Sequence, residues 1–148
     1  MKVVLQRVSS ATVSVCGEVI DQIAHGWLVF LGIGNEQDSQ YVERMAEKIV
    51  NLRAFNDEFG KMNLSLMDVK GEVLIVSQFT LYADCKKGRR PSFQMAARPE
   101  VAIPIYEGVI QAIQKCGVSA RTGRFGADMS VQLINDGPVT IVLSENDL

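Results

Sequence analysis

Polar side chains follow an apolar run at Ser77-Gln78-Phe79-Thr80, directly after Val73–Val76. Hydroxyl and amide groups at the end of a strand, just before a loop, can line a pocket. Thr80 is also a candidate nucleophile, but a threonine hydroxyl is weak without a base to activate it. No base that would activate it is apparent in the sequence. On residue types alone, Ser77 and Thr80 are better explained as groups that satisfy the backbone at a strand end.

A cluster of positive charge lies shortly after this segment. Lys86, Lys87, Arg89 and Arg90 flank Gly88 in a polar stretch that reads as a surface loop. Such a cluster can bind phosphates even though the formal net charge of the chain is -2. A solvated loop is the commoner explanation, and the closeness to Ser77–Thr80 is what favours phosphate binding.

The segment Asn135-Asp136-Gly137-Pro138 predicts a turn between two strands. Only about 5–6% of X–Pro bonds in folded proteins are cis, so the pattern by itself favours a trans bond. A cis bond would instead form a stiff wall with carbonyl oxygens held in fixed directions. The residues alone leave both possibilities open.

Several kinds of chemistry are excluded by what the chain lacks. It has one histidine, His25, and three widely spaced cysteines, Cys16, Cys85 and Cys116. This spacing favours neither a metal site nor a disulfide framework and suits a reducing cytosol. No nucleophile elbow, phosphate-binding loop or complete dinucleotide motif occurs. We therefore predict no metal and no cofactor.

The periodicity of the apolar residues predicts about seven strands and two long helices. The first helix carries Val42, Met45, Ala46 and Ile49 on one face, after Asp38 or Ser39 as the N-cap. The second begins near Pro99 and ends before Gly117. The predicted strands are Val3–Val8, Ala11–Val15, Glu18–Ile23, Trp27–Leu31, Val73–Phe79, Met129–Leu133 and Val139–Leu143. This order indicates one α+β domain over residues 1–148, with a barrel-like or mixed sheet.

The longest apolar run, Trp27–Leu31, is far too short to cross a bilayer. No signal peptide is recognisable at the start of the chain. Together with the cysteine spacing, these features predict a soluble, cytoplasmic protein.

Six segments are distinctive and run in order from the first strand to the last. They are Gln6-Arg7-Val8, Gly60–Leu66, Val76–Asp84, Lys87–Phe93, Thr122–Met129 and Asn135–Thr140. They resemble the D-aminoacyl-tRNA deacylase family, and the resemblance covers nearly the whole chain. Such long segments are rarely found together, so the resemblance is specific.

The resemblance implies a homodimer with two sites at the subunit interface. Gly137-Pro138 would be cis and project into the partner's pocket, where it would hold the α-amino group and leave no room for an L side chain. Ser77, Gln78, Phe79 and Thr80 would form the other side of the pocket, with backbone N–H groups near the ester carbonyl. Substrate-binding roles are implied for Phe125, Ala127 and Met129, and Arg7 would brace the Gly-Pro segment.

The implied reaction is hydrolysis of D-aminoacyl-tRNA assisted by the 2′-hydroxyl of the terminal adenosine. The protein would then supply orientation and oxyanion stabilisation, which need no histidine. Thr80 becomes a positioning residue, and Lys86, Lys87, Arg89 and Arg90 become candidates for tRNA binding. A glycyl ester has no side chain to reject, so some hydrolysis of glycyl-tRNA is expected.

Two alternatives stay open at this point. The first is a non-catalytic dimeric RNA-binding module, favoured by the absence of an evident catalytic base. The second is an unrelated esterase with Thr80 as covalent nucleophile. A sister class of deacylases with a trans Gly-Pro bond fits the Ser77–Thr80 and Asn135–Pro138 segments less well.

Overall fold

The computed structural model describes residues 1–148 and contains eight strands and two α-helices. The helices are α1 (Val42–Asn51) and α2 (Pro99–Lys115), and short 3-10 turns cover Glu36–Tyr41, Phe79–Tyr82 and Glu145–Asp147. The strands are β1 (Lys2–Val15), β2 (Glu18–Ile23), β3 (Gly26–Gly32), β4 (Phe55–Asn56), β5 (Met62–Leu64), β6 (Glu72–Ser77), β7 (Ala120–Thr122) and β8 (Ser130–Ser144).

Six of the strands form one mixed sheet in the order β2-β1-β3-β6-β7, with β8 paired to β1. Two strands share one edge of β1: residues 2–8 of β1 pair with β3, and residues 11–15 pair with β2. The other edge of β1 pairs with β8 over most of its length. The sheet curls until β7 approaches β2, where Arg121 Nε lies 3.8 Å from Asp21 Oδ1. The predicted α+β fold with a barrel-like mixed sheet and two long helices is confirmed.

The two helices cover one face of the sheet. Met45 and Ile49 of α1, and Val109 and Ile113 of α2, are completely buried in the larger of two apolar clusters. Fully burying a side chain of this kind stabilises the fold by about 1.5–3 kcal/mol. Pro99 begins α2, where the absence of an N–H costs nothing. These buried contacts fix α2 against the ends of β3 and β6.

The predicted boundary between the first two strands is wrong, because residues 2–15 form one strand. Arg7 and Val8 are both buried although they are neighbours, so the alternation changes phase here. The cause is an irregular register against β8 between Gln6 and Ser10. Val3 and Leu5 thus face the larger cluster, while Val13 faces the smaller one.

Three further predictions of local structure need correction, and three strands were missed. Asn135–Pro138 is an irregular part of the continuous strand β8 and does not separate two strands. The strand predicted to reach Phe79 ends at Ser77. The N-cap of α1 is Tyr41, which makes no side-chain cap hydrogen bond, so neither Asp38 nor Ser39 is the cap. Asn35, whose side chain accepts from the Gln37 N–H at 2.9 Å, caps the 3-10 turn before α1. The short strands β4, β5 and β7 were not predicted as strands.

None of the helices is long and apolar enough to span a lipid bilayer.

Candidate active site

A pocket of about 610 Å³ opens where β3 and β6 end, beside the start of α2. Because β3 and β6 are parallel, with Leu31 paired to Ser77, their carboxyl ends lie at the same edge of the sheet. The lining is mainly apolar, and its larger side chains include Val76, Phe93, Tyr106, Phe125 and Met129. A cavity of this size and polarity is typical of a small-molecule binding site.

The polar side of the pocket is formed where β6 passes into the Phe79–Tyr82 turn. Ser77, Gln78 and Phe79 line the pocket. The backbone N–H of Gln78 donates to the Leu31 carbonyl at 2.9 Å, which ties the turn to β3. Phe79 and Thr80 begin the turn, so their N–H groups have no acceptor within it. This arrangement places backbone donors at the mouth of an apolar cavity.

Thr80 lies beside the pocket and is not one of the residues that line it. Its side chain is exposed, and its hydroxyl oxygen accepts from Gln78 Nε2 at 2.6 Å. No imidazole, amine or carboxylate is hydrogen-bonded to the hydroxyl. The structure therefore supplies no partner that would activate Thr80 as a nucleophile.

Two pairs of aromatic rings shape the walls. The Phe79 and Phe93 rings meet edge to face at a centroid distance of 5.0 Å, and Tyr106 and Phe125 do so at 5.6 Å. The Tyr106 hydroxyl donates to the Ile75 carbonyl at 2.9 Å. Burial raises the pKa of Tyr106, so its hydroxyl stays protonated at neutral pH. Tyr106 thus shapes the cavity and fixes α2 to β6.

The remaining wall comes from the segment between β7 and β8. Ala127 and Met129 line the pocket on either side of Asp128. Gly126 has a φ of +72°, and the Ala127 N–H donates to the Arg124 carbonyl at 3.2 Å, which closes a turn before this wall. A Cβ atom at Gly123 would lie 2.6 Å from Met129 Sδ, so only glycine leaves room for Met129 as it stands.

The pocket has little capacity for acid-base chemistry of its own. Arg98 and Asp128 are its only charged residues, and the Asp128 side chain is hydrogen-bonded to no other protein group. His25 packs on Phe55 just before the start of β3, with ring centroids 5.1 Å apart. The length of β3 places Gly26 about 17 Å from Leu31. Nowhere in the chain do three His, Cys, Asp or Glu side chains come together in a group that could hold a metal ion.

Gly137 and Pro138 are exposed, do not line the pocket of their own chain, and are joined by a cis peptide bond. Asn135 is opposite Val8 and Thr140 is opposite Gln6, so residues 136–139 form an excursion from β8. Buried Arg7 faces this excursion. Its Nη1 donates to the Ala54 carbonyl at 2.7 Å and to Asn56 Oδ1 at 3.1 Å.

Arg7 also contacts the excursion directly. Its Nε lies 3.0 Å from Asp136 Oδ2, which is the distance of an ion pair. The N–H bond does not point at this oxygen, however, and Nε has no hydrogen-bond partner. Arg7 therefore links the excursion to the β4–β5 hairpin mainly through its charge and its Nη1 atom.

The basic loop, Lys86–Arg90, is connected at both ends to the pocket. Asp84 and Ser92 exchange two backbone hydrogen bonds of 2.8 and 2.9 Å, which close the loop. The chain enters it from Phe79 and leaves it at Phe93, and both of these residues line the pocket. Its four cationic side chains are exposed, and none takes part in an ion pair. The pocket thus has a free cluster of positive charge near its mouth.

Sequence reasoning missed part of the lining. Phe93, Arg98, Ala102 and Tyr106 line the pocket but were not singled out as site residues. The proximity of Pro99 to this end of the sheet could not be read from the sequence, since it depends on how α2 packs. The missed signal was a tyrosine at position 106 on the buried face of α2.

Comparisons with known proteins place this chain in a family. A profile described as D-Tyr-tRNA(Tyr) deacylase matches residues 4–144. A protein of Brevibacillus brevis named D-aminoacyl-tRNA deacylase is 54% identical over 143 residues, which are 97% of this chain and 99% of the relative. Its namesake in Clostridioides difficile is 54% identical over 146 residues, which are 99% of this chain and 98% of the relative.

Solved structures agree with the fold. One, called c-Myc DNA Unwinding Element Binding Protein, has a TM-score of 0.90 at 44% identity and covers 97% of this chain and 98% of its own. A second, described as a probable eukaryotic D-amino acid tRNA deacylase, has a TM-score of 0.84 at 16% identity, covering 96% and 97%. At that identity the second match shows the fold alone.

The class of protein is therefore a hydrolase that acts on ester bonds. Within that class, the chain belongs to the D-Tyr-tRNA(Tyr) deacylase family.

Proposed function

We propose that the protein hydrolyses the ester between a D-amino acid and the 3′ end of tRNA, releasing the free tRNA and the D-amino acid. The observation that carries this proposal is an apolar pocket with backbone donors at its mouth and a free basic loop beside it. The pocket suits an aminoacyl group, and the loop suits the phosphates of an acceptor end. The names of two relatives, each 54% identical to this chain, support the same substrate. A cytoplasmic location, where aminoacyl-tRNA is used, is part of the proposal.

The chemistry proposed uses groups of the RNA as well as of the protein. Water attacks the ester carbonyl carbon, helped by the free 2′-hydroxyl of the terminal adenosine. The bond to the 3′ oxygen breaks, one proton of the water passes to that oxygen, the other is released to solvent, and the amino acid leaves as a carboxylate. The N–H groups of Phe79 and Thr80 would stabilise the negative carbonyl oxygen of the intermediate. Gln78 holds Thr80 in place for this purpose. No cofactor or metal enters the scheme.

Discrimination between D and L esters is assigned to Gly137 and Pro138 of a second copy of the chain. The support is their exposure and their separation from the pocket of their own chain. In the proposed homodimer their carbonyl groups hold the α-ammonium of the substrate, and the rigid segment occupies the space of an L side chain. Arg7 braces this segment from below, while Phe125, Ala127 and Met129 contact the substrate from the facing wall.

The second copy is proposed to bind along β8. This strand pairs only with β1, so its outer edge is unpaired. Ile134 and Val142 are exposed on it, on either side of the Gly-Pro excursion. Exposed apolar side chains next to an unpaired edge are a common site of self-association.

Glycyl-tRNA follows as a second substrate in this proposal. Glycine has no side chain on either face of its α-carbon, so a wall that excludes L side chains does not exclude it. We expect the purified protein to hydrolyse glycyl-tRNA measurably, but more slowly than D-tyrosyl-tRNA. Release of radiolabelled glycine measures this rate.

The proposed function is tested by counting turnovers with D-tyrosyl-tRNA in large excess over protein. Release of many D-tyrosines per subunit supports it, and release of no more than one per subunit excludes an enzyme with this substrate. The role of the RNA is tested with D-tyrosine on a tRNA that ends in 2′-deoxyadenosine. Loss of hydrolysis with this substrate, at unchanged binding, supports 2′-hydroxyl assistance, and an unchanged rate refutes it.

A second candidate function is nucleic-acid binding without chemistry. It is favoured by the free cations of the basic loop and by the name of one solved relative, a DNA unwinding element binding protein. The turnover count decides between the two, because a binding module retains its ligand unchanged.

A further inference from the structure

The 3-10 turn Phe79–Tyr82 is weakly held by its own hydrogen bonds. It has only four residues, none of them buried, and the Leu81 N–H reaches the Gln78 carbonyl at a long 3.3 Å. Turns of this kind have poorer hydrogen-bond geometry than an α-helix. Contacts from outside must therefore keep Phe79 and the neighbouring N–H groups in position.

One side of the turn rests on bare backbone at the end of β3. A Cβ atom at Gly32 would lie 2.9 Å from the Gln78 carbonyl oxygen and 3.1 Å from Leu81 Cβ. A Cβ atom at Gly34 would lie 2.7 Å from the Tyr82 ring. This close approach limits movement of the turn toward β3 but does not prevent it from lifting away.

Lys2 contacts the same turn from β1. Its Nζ donates to the Leu81 carbonyl at 3.1 Å and lies 4.7 Å from the centroid of the Tyr82 ring. The Leu81 carbonyl lies near the end of the turn, where carbonyl groups receive no hydrogen bond from N–H groups of the turn itself. A lysine at this end satisfies the carbonyl and attracts the face of the ring.

The backbone at Lys2 is held on both sides. It is paired with Gly32 of β3 on one side and with Ser144 of β8 on the other. The side chain is exposed, and its two direct contacts with the turn are the hydrogen bond to the Leu81 carbonyl and the approach to the Tyr82 ring. Its charge also helps to lower the pKa of Glu145, which lies beyond the end of β8. A fixed strand thus holds a loosely bonded turn through one cationic side chain.

From this geometry we infer that Lys2 is a positioning residue of the deacylase: it holds the Phe79–Tyr82 turn closed against β3, so that Phe79 and its neighbouring N–H groups face the substrate ester. The inference deepens the proposed function and rests on it only for the activity measurement. Lys2 touches neither substrate nor reacting atoms, so it acts through the turn.

The test compares Lys2→Met with Lys2→Arg. Methionine keeps the length of the side chain but loses the charge and the donor, whereas arginine retains both. Lys115→Met is the matched control, because Lys115 is an exposed lysine at the far end of α2 from the pocket. Deacylation of D-tyrosyl-tRNA and hydrogen exchange of the peptide containing residues 78–84 are measured well below the melting temperature.

We expect Lys2→Met to lower kcat about fivefold, the factor that about 1 kcal/mol represents, with KM unchanged. Exchange of residues 78–84 should become faster in this variant, and no other peptide should change. Lys2→Arg and Lys115→Met should match the wild type in both measurements. This pattern cannot arise from a general loss of stability, which would speed exchange throughout the chain.

Three results overturn the inference. They are a wild-type kcat in Lys2→Met, a rise in KM alone (the result expected if Lys2 bound the tRNA), and an equal defect in Lys2→Arg. If the wild-type protein itself does not hydrolyse D-tyrosyl-tRNA, the proposed function fails. The exchange comparison still decides whether Lys2 holds the turn.

Discussion

Asn135 and Arg7 are joined at the neck of the Gly-Pro excursion. Asn135 Nδ2 donates to the Arg7 carbonyl at 2.9 Å and to the Val139 carbonyl at 3.0 Å. One amide group therefore closes the excursion within β8 and attaches it to β1. The Arg7 guanidinium holds it from the other side through the Asp136 contact.

Replacing Asn135 with aspartate removes the donor and sets a carboxylate against two carbonyl oxygens. We expect the free energy of unfolding to fall by about 2 kcal/mol, since a partly buried acceptor pair loses its donor. Urea denaturation measures the change. Asn146→Asp is the control, because Asn146 is exposed and its side chain makes no hydrogen bond. Equal stability of the two variants would contradict the role of Asn135.

Gly137→Ala should impair both the shape of the excursion and the activity. Gly137 has a φ of +118°, and a Cβ atom there would lie 2.8 Å from Val139 Cγ2 and 3.0 Å from Arg7 Nη2. We expect at least a tenfold fall in kcat/KM for D-tyrosyl-tRNA, which is about 1.4 kcal/mol in the barrier.

Gly17→Ala provides the matched control for this change. Gly17 has a φ of +83° but open space around the added Cβ, so it tests the backbone conformation without the contacts. We expect about 1 kcal/mol of lost stability and unchanged deacylation. If Gly137→Ala retains full activity, the excursion does not shape the site.

Mixing two inactive variants tests whether each site takes its wall from the partner. Ala127→Phe fills the pocket, and Gly137→Ala distorts the excursion. If the excursion serves the other subunit's pocket, a mixed dimer contains one site in which both parts are intact. We therefore expect activity to return on co-expression or after refolding together, to about a quarter of the wild type for random pairing of equal amounts.

The measurement for this mixture is the rate of D-tyrosyl-tRNA hydrolysis, with molecular mass determined by light scattering. A mixture as inactive as its components, in a sample shown to be dimeric, would refute the shared site. A monomeric wild-type protein with full activity would refute it as well.

Thr80→Ala should reduce the activity but not abolish it. Thr80 does not line the pocket and has no activating base, and its hydroxyl only accepts from Gln78. Losing one hydrogen bond of about 1 kcal/mol predicts roughly a fivefold fall in kcat. Single-turnover kinetics and mass spectrometry for an acyl-enzyme are the measurements. Abolished hydrolysis in this variant, together with a trapped acyl-enzyme in the wild type, would establish the nucleophile instead.

Neutralising the basic loop should lower the affinity for tRNA and make that affinity less dependent on salt concentration. For Lys86, Lys87, Arg89 and Arg90 all changed to Gln, the slope of log affinity against log salt should become less steep by up to about 3, if each cation contacts one phosphate of a single strand. Hydrolysis of a short ester, D-tyrosyl-adenosine, should not change, because it lacks these phosphates. An unchanged slope would show that tRNA binds elsewhere.

Much of the fold could be predicted because its elements carry strong periodic patterns. Met45, Ile49, Val109 and Ile113 lie at helical spacing, and all are buried as predicted. Pro99 and Gly117 marked the ends of α2 correctly to within two residues. The strand β7 was missed because three residues, Ala120–Thr122, are too few to show a period.

The site was harder to predict because it depends on long-range packing. Asn135-Asp136-Gly137-Pro138 has the composition of a turn, yet it lies within a strand, because β1 pairs with residues on both sides of it. Tyr106 and Arg98 reach the pocket only because α2 begins there. The roles of Ser77–Thr80 came from the resemblance, since their residue types alone favoured a structural explanation.

The central claim is tested most directly by the relative rates of hydrolysis of D-tyrosyl-tRNA and L-tyrosyl-tRNA. Both are measured with the purified protein at catalytic concentration and in the presence of a metal chelator. The account predicts rapid multiple turnover of the D ester and no hydrolysis of the L ester above the uncatalysed rate. Hydrolysis of both esters at equal rates would contradict it, and so would hydrolysis of neither ester.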